Sequence, residues 1–247
     1  MNVEITGLTR RFGRTLAVAG VDLNAGPGVL GLLGPNGAGK TSLLRMMATA
    51  VPPTSGRLRL LGHDPGRYGP RREIRRRLGY LPQSLGYYPG FTVTEFVEYF
   101  ALLKELPAAR IPAAVTAAVE QVGLGGQARA RLRTLSGGML RRAGIAQAIV
   151  NQPDLLLLDE PTAGLDPEQR VTFRALLRDL GQRATVVVST HLVEDVGAAC
   201  AQVAVMDQGR IVYLGTPGEL TARGQDHDTG DAPLERGYSA VLTAARS

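Results

Sequence analysis

The chain has 247 residues, of which 44% are hydrophobic and 20% are charged, and its formal net charge is +6. This composition is typical of a globular protein with a real apolar core, in one large domain or two small ones. A single cysteine, Cys200, excludes a disulfide framework within the chain and favours a reducing compartment. No secretory leader is visible, and apolar runs such as residues 155–158 are far shorter than the ~20 residues that span a bilayer, so we expect a chain that does not cross a membrane by itself.

Short β-type runs lie at residues 3–6, 15–23, 28–33, 56–61 and 78–81. The run at 28–33 is mostly apolar, which is typical of a strand covered on both faces. A helical pattern follows it from residue 40 to about residue 50, where a Val-Pro-Pro sequence closes the helix.

The sequence GPNGAGKT, residues 34–41, fits the phosphate-loop pattern G-x-x-x-x-G-K-[ST] between a strand and a helix. We expect its backbone N–H groups to hold the β- and γ-phosphates of a nucleotide, Lys40 to contact them, and the Thr41 hydroxyl to bind Mg²⁺. A glycine-rich turn without a ligand is the competing interpretation. The predicted nucleotide-binding residues here are Gly34, Pro35, Asn36, Gly37, Ala38, Gly39, Lys40, Thr41 and Ser42.

Six arginines lie within eleven residues and are opposed only by Glu73; they are Arg67, Arg71, Arg72, Arg75, Arg76 and Arg77. Three interpretations stay open for this run. It is a solvated helix face, a contact with anionic lipid or a partner, or a patch for nucleic acid.

Gln83 follows the strand candidate at 78–81, and its amide is placed to contact Mg²⁺ and an attacking water. A glutamine at such a position, taken alone, is usually an ordinary loop residue. From residue 93 to about 133 the strand signals vanish, and alanine, leucine and glutamate predict an all-helical insertion. Its first helix has Thr94 as the candidate N-cap, and its second has Pro112 in the first turn and Gly123 at the end.

The sequence TLSGGML, residues 134–140, predicts a second phosphate-binding element. Ser136 can cap a helix, and Gly137 and Gly138 allow backbone N–H groups to approach an anion. A second such element, a hundred residues after the phosphate loop, is unexpected in one domain.

The sequence LLLLDEPTAGLD, residues 155–166, predicts a strand buried on both faces that ends in Asp159 and Glu160. In an open parallel sheet the ligand lies beyond the carboxyl ends of the strands, so both carboxylates would lie beside the phosphates. Asp159 is suited to hold Mg²⁺ and Glu160 to polarise an attacking water. Two acids that merely cap a strand before Pro161 are the alternative.

Alternation of strands and helices resumes toward the carboxyl terminus. A helix is predicted at 168–180, a buried strand at 185–189, and a hairpin from the runs 203–206 and 210–214. His191 follows the buried strand and is placed to contact a γ-phosphate, although a lone histidine there is usually unremarkable. The polar segment 223–233 predicts a linker, and residues 234–246 predict a short final helix.

The ordered set Lys40, Gln83, Ser136, Glu160 and His191 resembles the ATP-binding subunit of ABC transporters over roughly residues 2–220. In the terms of that family, residues 34–41 resemble the Walker A loop, 155–160 Walker B, 135–139 the signature motif and 163–166 the D-loop. Gln83 matches the Q-loop and His191 the switch histidine. By the same resemblance, Phe12 falls where an aromatic ring stacks on adenine; the alternative is a simple core residue.

The resemblance implies an α/β P-loop NTPase fold of the ABC type. It would have a doubly wound, mainly parallel sheet, an N-terminal antiparallel β portion and a helical subdomain at about 84–150. The ATPase domain would cover 1–222, and 223–247 would form the polar linker and short C-terminal helix. The implied reaction is hydrolysis of ATP with Mg²⁺, with Glu160, His191, Gln83 and Lys40 as catalytic residues and Thr41, Gln83 and Asp159 as metal ligands.

The resemblance also implies partners. Two ATPase subunits, identical or different, would pair head to tail, so that Ser136, Gly137 and Gly138 of one chain meet the nucleotide held by Lys40 of the other. A separately encoded transmembrane permease would couple their closure to transport, with this chain peripheral on the cytoplasmic face of the membrane. Nucleic acid is not an expected partner.

Met139 departs from the family pattern, which usually has glutamine at the fifth signature position. Methionine there, and the stretch after Gln83, resemble export-type members. One alternative function is a soluble ABC ATPase that acts on DNA or ribosomes, but the insertion after Gln83 has only ~50 residues, whereas such proteins usually carry a long coiled coil or two modules. Another is a binding module without hydrolysis, against which Glu160 and His191 argue.

Overall fold

The computed structural model describes residues 1–225 and 228–246, in which the chain forms nine strands and nine α-helices. The strands are β1 (Val3–Phe12), β2 (Thr15–Ala25), β3 (Gly28–Leu33), β4 (Ser55–Leu60), β5 (Leu78–Leu81), β6 (Leu155–Asp159), β7 (Thr185–Thr190), β8 (Gln202–Asp207) and β9 (Arg210–Gly215). The helices are α1 (Lys40–Met47), α2 (Tyr68–Arg76), α3 (Val93–Leu103), α4 (Ile111–Gln121), α5 (Gly137–Ile149), α6 (Pro167–Gly181), α7 (Val193–Ala199), α8 (Pro217–Thr221) and α9 (Pro233–Arg246).

The larger sheet has the strand order β5-β6-β7-β3-β8-β9 and is parallel except for β9, which pairs antiparallel with β8. Its strands β6 and β7 are buried at every residue, and β3 at all but the first, because helices cover both faces. The apolar runs predicted from the sequence are therefore the centre of the sheet, and the predicted hairpin is its β8–β9 edge.

A second, antiparallel sheet has the order β2-β1-β4. The sequence predicted a first strand of only four residues, but β1 runs on to Phe12. The strand continues through a register shift between Ile5 and Leu8, where Gly7 has a φ of +56° and its N–H donates to Asp22 Oδ1 at 2.7 Å. Glycine tolerates this conformation, so the pairing resumes beyond the irregularity. The two sheets together confirm the predicted fold class.

Helices α3 and α4 form a lobe that packs on α5 around a common apolar cluster. The prediction that Thr94 caps α3 was wrong, because Thr92 is the N-cap. The Thr92 hydroxyl accepts from the Glu95 N–H at 3.2 Å, and the Glu95 carboxylate accepts from the Thr92 N–H at 2.7 Å, which is a capping box. The Thr94 hydroxyl instead donates to Ala128 O at 2.9 Å.

The last helix, α9, has 14 residues and packs against α7, α8, β8 and β9. Arg246 near its end donates to both carboxylate oxygens of the buried Asp207, at 2.8 and 2.9 Å. Residues 226, 227 and 247 of the predicted C-terminal segment lie outside the described residues, and the division at residue 222 stays a prediction. Over the described ranges, we find no helix with the length and apolarity that a membrane span requires.

Candidate functional site

The carboxyl ends of the parallel strands bring the predicted site residues to one edge of the larger sheet. The loops after β3, β5, β6 and β7 carry Lys40, Gln83, Glu160 and His191 respectively. This is the edge at which open α/β sheets bind ligands. A cavity of about 450 Å³ lies there and is lined by Thr15, Leu16, Ala17, Asn36, Gly37, Ala38, Gly39, Lys40, Thr41, Ser42, Gln83, Glu160, Gln208 and Gly209.

The phosphate loop takes its shape from two glycines that no other residue can replace without displacing backbone. Gly39 is the N-cap of α1 with a φ of +104°, and a Cβ there would lie 2.3 Å from Ala17 O. A Cβ at Gly34 would lie 2.2 Å from Met206 O. The loop therefore lies directly against β2 and β8, and the first N–H groups of α1, which have no partner within the helix, begin at the cavity.

Lys40 is only 6% exposed, although it carries a charge. Its Nζ donates to Gly34 O at 2.6 Å and to Pro35 O at 3.0 Å, and lies 4.0 Å from Glu160 Oε1. Burial lowers the pKa of Lys40 below its usual value, while the charges of Glu160 and Asp159 act in the opposite direction. The ammonium is thus held in the loop by neutral carbonyls, and a phosphate group would give it a stronger, charged acceptor.

Asp159 lies at the end of β6 with no exposed surface. Its Oδ1 accepts from the Ser189 hydroxyl at 2.5 Å and from the Thr41 hydroxyl at 3.2 Å. Its Oδ2 is buried and has no hydrogen-bond partner among the described residues. A buried carboxylate oxygen without a donor, next to a hydroxyl, is the kind of oxygen ligand that Mg²⁺ takes, so these residues fit the predicted metal.

Glu160 has a φ of +51°, a left-handed conformation that a residue with a side chain rarely adopts. Its N–H donates to Ser189 O at 3.1 Å and to the Ser189 hydroxyl at 3.2 Å. Its carboxylate is buried, and Oε2 lies 2.9 Å from Nδ1 of His191. The unusual backbone turn places the carboxylate between Lys40 and His191, at the mouth of the phosphate loop.

Ser136 caps helix α5 as predicted, and its hydroxyl accepts from the Met139 N–H at 3.2 Å. Ser136, Gly137 and Gly138 are not among the described residues that line the cavity at Lys40. The Met139 side chain is half-buried and packs against the apolar cluster of the lobe. The residue that departs from the family pattern thus has a packing role for its apolar side chain.

Phe12 is exposed, and the Arg10 guanidinium stacks over its ring at 4.4 Å. It is not one of the described residues that line the cavity, so its contact with adenine stays a prediction. The sequence missed the cavity wall formed by the start of β2 and by the turn at Gln208 and Gly209. The Gly209 N–H donates to Ala38 O at 2.9 Å, a long-range contact that leaves no local signal in the sequence.

Four arginines of the run lie in α2 and the other two, Arg67 and Arg77, flank it, and acids elsewhere in the chain partly neutralise them. Arg72 and Arg76 both bind the carboxylate of Glu105, which lies after α3. These hydrogen bonds lower the pKa of Glu105 to about 2. The three interpretations of this run stay open.

Comparisons with known proteins show which family the chain belongs to. A family described as ABC transporter matches residues 18–163. The Nod factor export ATP-binding protein I of Ralstonia nicotianae is 39% identical over 248 residues, which cover 99% of this chain and 75% of that protein. The daunorubicin/doxorubicin resistance ATP-binding protein DrrA of Streptomyces peucetius is 39% identical over 220 residues, which cover 88% of this chain and 66% of that protein.

Among solved structures, the fold is similar to a dimeric structure of a post-hydrolysis state of the ATP-binding cassette MJ0796 bound to ADP and Pi. The TM-score is 0.79 at 24% identity, over 87% of this chain and 98% of that one. The chain belongs to the ABC transporter family, in which it is an ATP-binding, ATP-hydrolysing subunit.

Proposed function

We propose that this chain powers the export of a substrate through a separately encoded membrane subunit, and that it acts at the cytoplasmic face of the membrane. Two similar proteins are named for export or drug resistance. The observation that carries the enzymatic part is the buried Glu160 carboxylate, which lies 4.0 Å from Lys40 Nζ and 2.9 Å from His191 Nδ1. This placement would let the carboxylate activate a water next to a phosphate held by Lys40.

The phosphate loop and Lys40 would bind the β- and γ-phosphates, with the loop amides and the ammonium as donors. Thr41, Gln83 and Asp159 would hold Mg²⁺. Asp159 would offer its Oδ2 atom, which has no hydrogen-bond partner among the described residues. When bound, Mg²⁺ supplies positive charge to the phosphate oxygens, which lowers the cost of the charge that develops there. The chain's own contribution is to fix these donors and acceptors before the nucleotide arrives.

Glu160 would accept a proton from the attacking water and so act as general base. Its left-handed backbone and the Ser189 hydrogen bonds fix where the carboxylate points. His191, whose side chain is 52% exposed, would contact the γ-phosphate from the open side of the cavity while its Nδ1 stays on Glu160. A single carboxylate thus organises both the water and the histidine.

We also propose that the active unit is a head-to-tail dimer. Ser136 and Gly138 begin helix α5, yet they do not line the cavity that contains Lys40. A helix N-terminus of this kind suits an anion, and in a dimer it would reach the γ-phosphate of the other subunit. Two incomplete sites per chain would become two complete sites per dimer.

The surface after Gln83 is the proposed docking site for the membrane subunit. Tyr88 is 73% exposed, and its ring lies 5.5 Å from that of Phe91 between centroids. Leu85 and Phe91 pack against the apolar cluster of the lobe, so internal packing accounts for them. The exposed rings of Tyr87 and Tyr88 are left for a partner, and aromatic side chains are frequent anchors in interfaces.

Replacement of Glu160 by glutamine tests the enzymatic part, because the amide is nearly isosteric and does not accept a proton. We expect ATP binding to persist while turnover falls by ~10²–10⁴-fold, the usual contribution of a positioned base. ATP should then trap a closed dimer, which size-exclusion chromatography detects. Glu120→Gln, on the exposed side of α4, is the matched control and should keep normal turnover. Wild-type turnover in Glu160→Gln would refute the assignment.

A further inference from the structure

Arg141 lies on helix α5, five residues after Ser136, and is only 7% exposed. Its Nη1 donates to Pro82 O at 2.9 Å and to Gln83 O at 3.1 Å. Its Nη2 donates to Glu160 O at 2.7 Å and also to Asp159 O. One guanidinium therefore joins two separate segments of the chain through four backbone carbonyls.

Both segments carry proposed active-site side chains. The first is the loop after β5 with Gln83, and the second is the end of β6 with Asp159 and Glu160. The pairing of β5 with β6 ends at Leu81 and Leu158, so beyond that point no ladder bonds hold the two segments at a fixed spacing. Beyond the end of the ladder, the hydrogen bonds of Arg141 connect the two segments.

The Glu160 conformation needs such support. A left-handed residue with a side chain persists only where its surroundings over-determine it. The Ser189 contacts hold the N–H of Glu160, and Arg141 holds its carbonyl, so the peptide groups on both sides of the unusual torsion are fixed. The burial of Arg141 itself costs free energy, because its guanidinium is desolvated without a carboxylate partner and its Nε has no hydrogen-bond partner among the described residues.

We infer that Arg141 is a positioning residue for ATP hydrolysis, which holds the Gln83 loop and the Glu160 peptide in the arrangement that the reaction requires. The inference rests on the proposed roles of Gln83 and Glu160. It also gives helix α5 a place in both sites of a dimer, because Ser136 begins the helix and Arg141 lies one and a half turns later. A displacement of the start of α5 would act through Arg141 on the backbone carbonyls of Asp159 and Glu160, and so on the position of the Glu160 side chain.

A purely structural role makes a different prediction, so kinetics can separate the two. If Arg141 only satisfied buried carbonyls, its replacement would lower the melting temperature and leave kcat of the folded protein unchanged. If Arg141 positions Glu160, kcat falls and the KM for ATP is nearly preserved, because none of the four carbonyls to which Arg141 donates belongs to the phosphate loop.

The test uses Arg141→Lys and Arg141→Gln in the full chain, with Arg142→Lys as the matched control. Lysine keeps the charge but is a point donor that does not reproduce the planar fork. Arg142 is the next residue on α5, and its Nη1 donates to Val122 O at 3.3 Å and Gly123 O at 3.1 Å, within the lobe. We expect kcat to fall by about 10- to 100-fold in both Arg141 variants, as a small misplacement of reacting groups does, and to stay near wild type in Arg142→Lys.

A double-mutant cycle identifies the residue through which Arg141 acts. In the Glu160→Gln background, Arg141→Lys should cause little further loss in single-turnover hydrolysis, because the group that it positions is already disabled. Wild-type kcat in folded Arg141→Lys, an equal loss in both backgrounds, or an equal loss in Arg142→Lys would each overturn the inference. Full turnover in Glu160→Gln would overturn the proposed function as well, so the two failures are distinguishable.

Discussion

Replacement of Lys40 by methionine should weaken ATP binding and leave the fold intact. Methionine keeps the unbranched stem that packs in the loop and removes the ammonium. In the protein, that ammonium donates to Gly34 O and Pro35 O and lies 4.0 Å from Glu160 Oε1. In the proposed complex, ATP would exchange the two neutral carbonyls for phosphate oxygens, and only the difference between these two states would contribute to binding.

The size of the effect follows from that exchange. A hydrogen bond to a charged group contributes ~1.5–3 kcal/mol, and each ~1.4 kcal/mol changes a Kd tenfold. The bonds already made in the loop reduce the net gain, so we expect the Kd for ATP to rise by roughly 10- to 100-fold. Titration with a fluorescent ATP analogue at fixed Mg²⁺ measures it, and thermal melting without nucleotide checks that the variant is folded.

Lys104→Met is the matched control. Lys104 is a half-buried lysine whose Nζ also donates to two carbonyls, those of Arg75 at 3.0 Å and Leu78 at 2.5 Å, and desolvation lowers its pKa as well, to about 8. It lies outside the cavity that contains Lys40. Its replacement should lower the melting temperature with an unchanged Kd for ATP. An unchanged Kd in Lys40→Met, or an equal increase in Lys104→Met, would refute the assignment of Lys40 to the phosphates.

Two further variants test the partner surfaces. Ser136→Ala should reduce turnover more than Met139→Gln does, because Ser136 is expected to meet phosphate while the Met139 side chain packs in the lobe. Steady-state ATPase assays of the two variants measure the difference. A hundredfold rise of turnover in Met139→Gln would mean that the signature site is degenerate. Tyr88→Ala should weaken binding of the membrane subunit by ~2 kcal/mol if the ring is an anchor, which a pull-down detects. It should also uncouple transport while the affinity for ATP stays unchanged. Tyr68→Ala, an equally exposed tyrosine on α2, is its control, and retained pull-down and transport in Tyr88→Ala would exclude that tyrosine as an anchor.

The parts of the site that the sequence predicts are those encoded by contiguous residues. The phosphate loop needs two glycines and a lysine at fixed spacing, and the structure shows backbone contacts that forbid a Cβ at Gly34 and Gly39. The strand before Asp159 is readable because a strand buried on both faces is a continuous apolar run. Because ligands bind beyond the carboxyl ends of the strands in open α/β sheets, such runs also predict that the loops after them meet at one edge of the sheet.

The sequence contains the signal for the N-cap of α3, although the prediction chose Thr94 in place of Thr92. The sequence T-V-T-E offers two threonines, and only Thr92 has a glutamate three residues later, which is the capping-box spacing. The contacts around Glu160 were not readable. Its left-handed torsion, the Ser189 hydrogen bonds and the Arg141 fork depend on segments that are 18 to 59 residues apart, and no local pattern encodes them.

Several groups at this site are costly in the nucleotide-free fold. Asp159 Oδ2 is buried without a donor, the Lys40 ammonium is desolvated, and Glu160 is left-handed. Asp159 ends β6 and Glu160 follows it directly, while Lys40 begins α1 after the loop that follows β3. The packing of the buried strands β3, β6 and β7 offsets these costs. In the proposed complex, Mg²⁺ would give Asp159 Oδ2 a partner, and phosphate would give the Lys40 ammonium a charged acceptor in place of two neutral carbonyls. With these roles, the free energy of ATP binding would be coupled to the carboxyl end of β6, and through the hydrogen bonds of Arg141 to the helix that begins at Ser136.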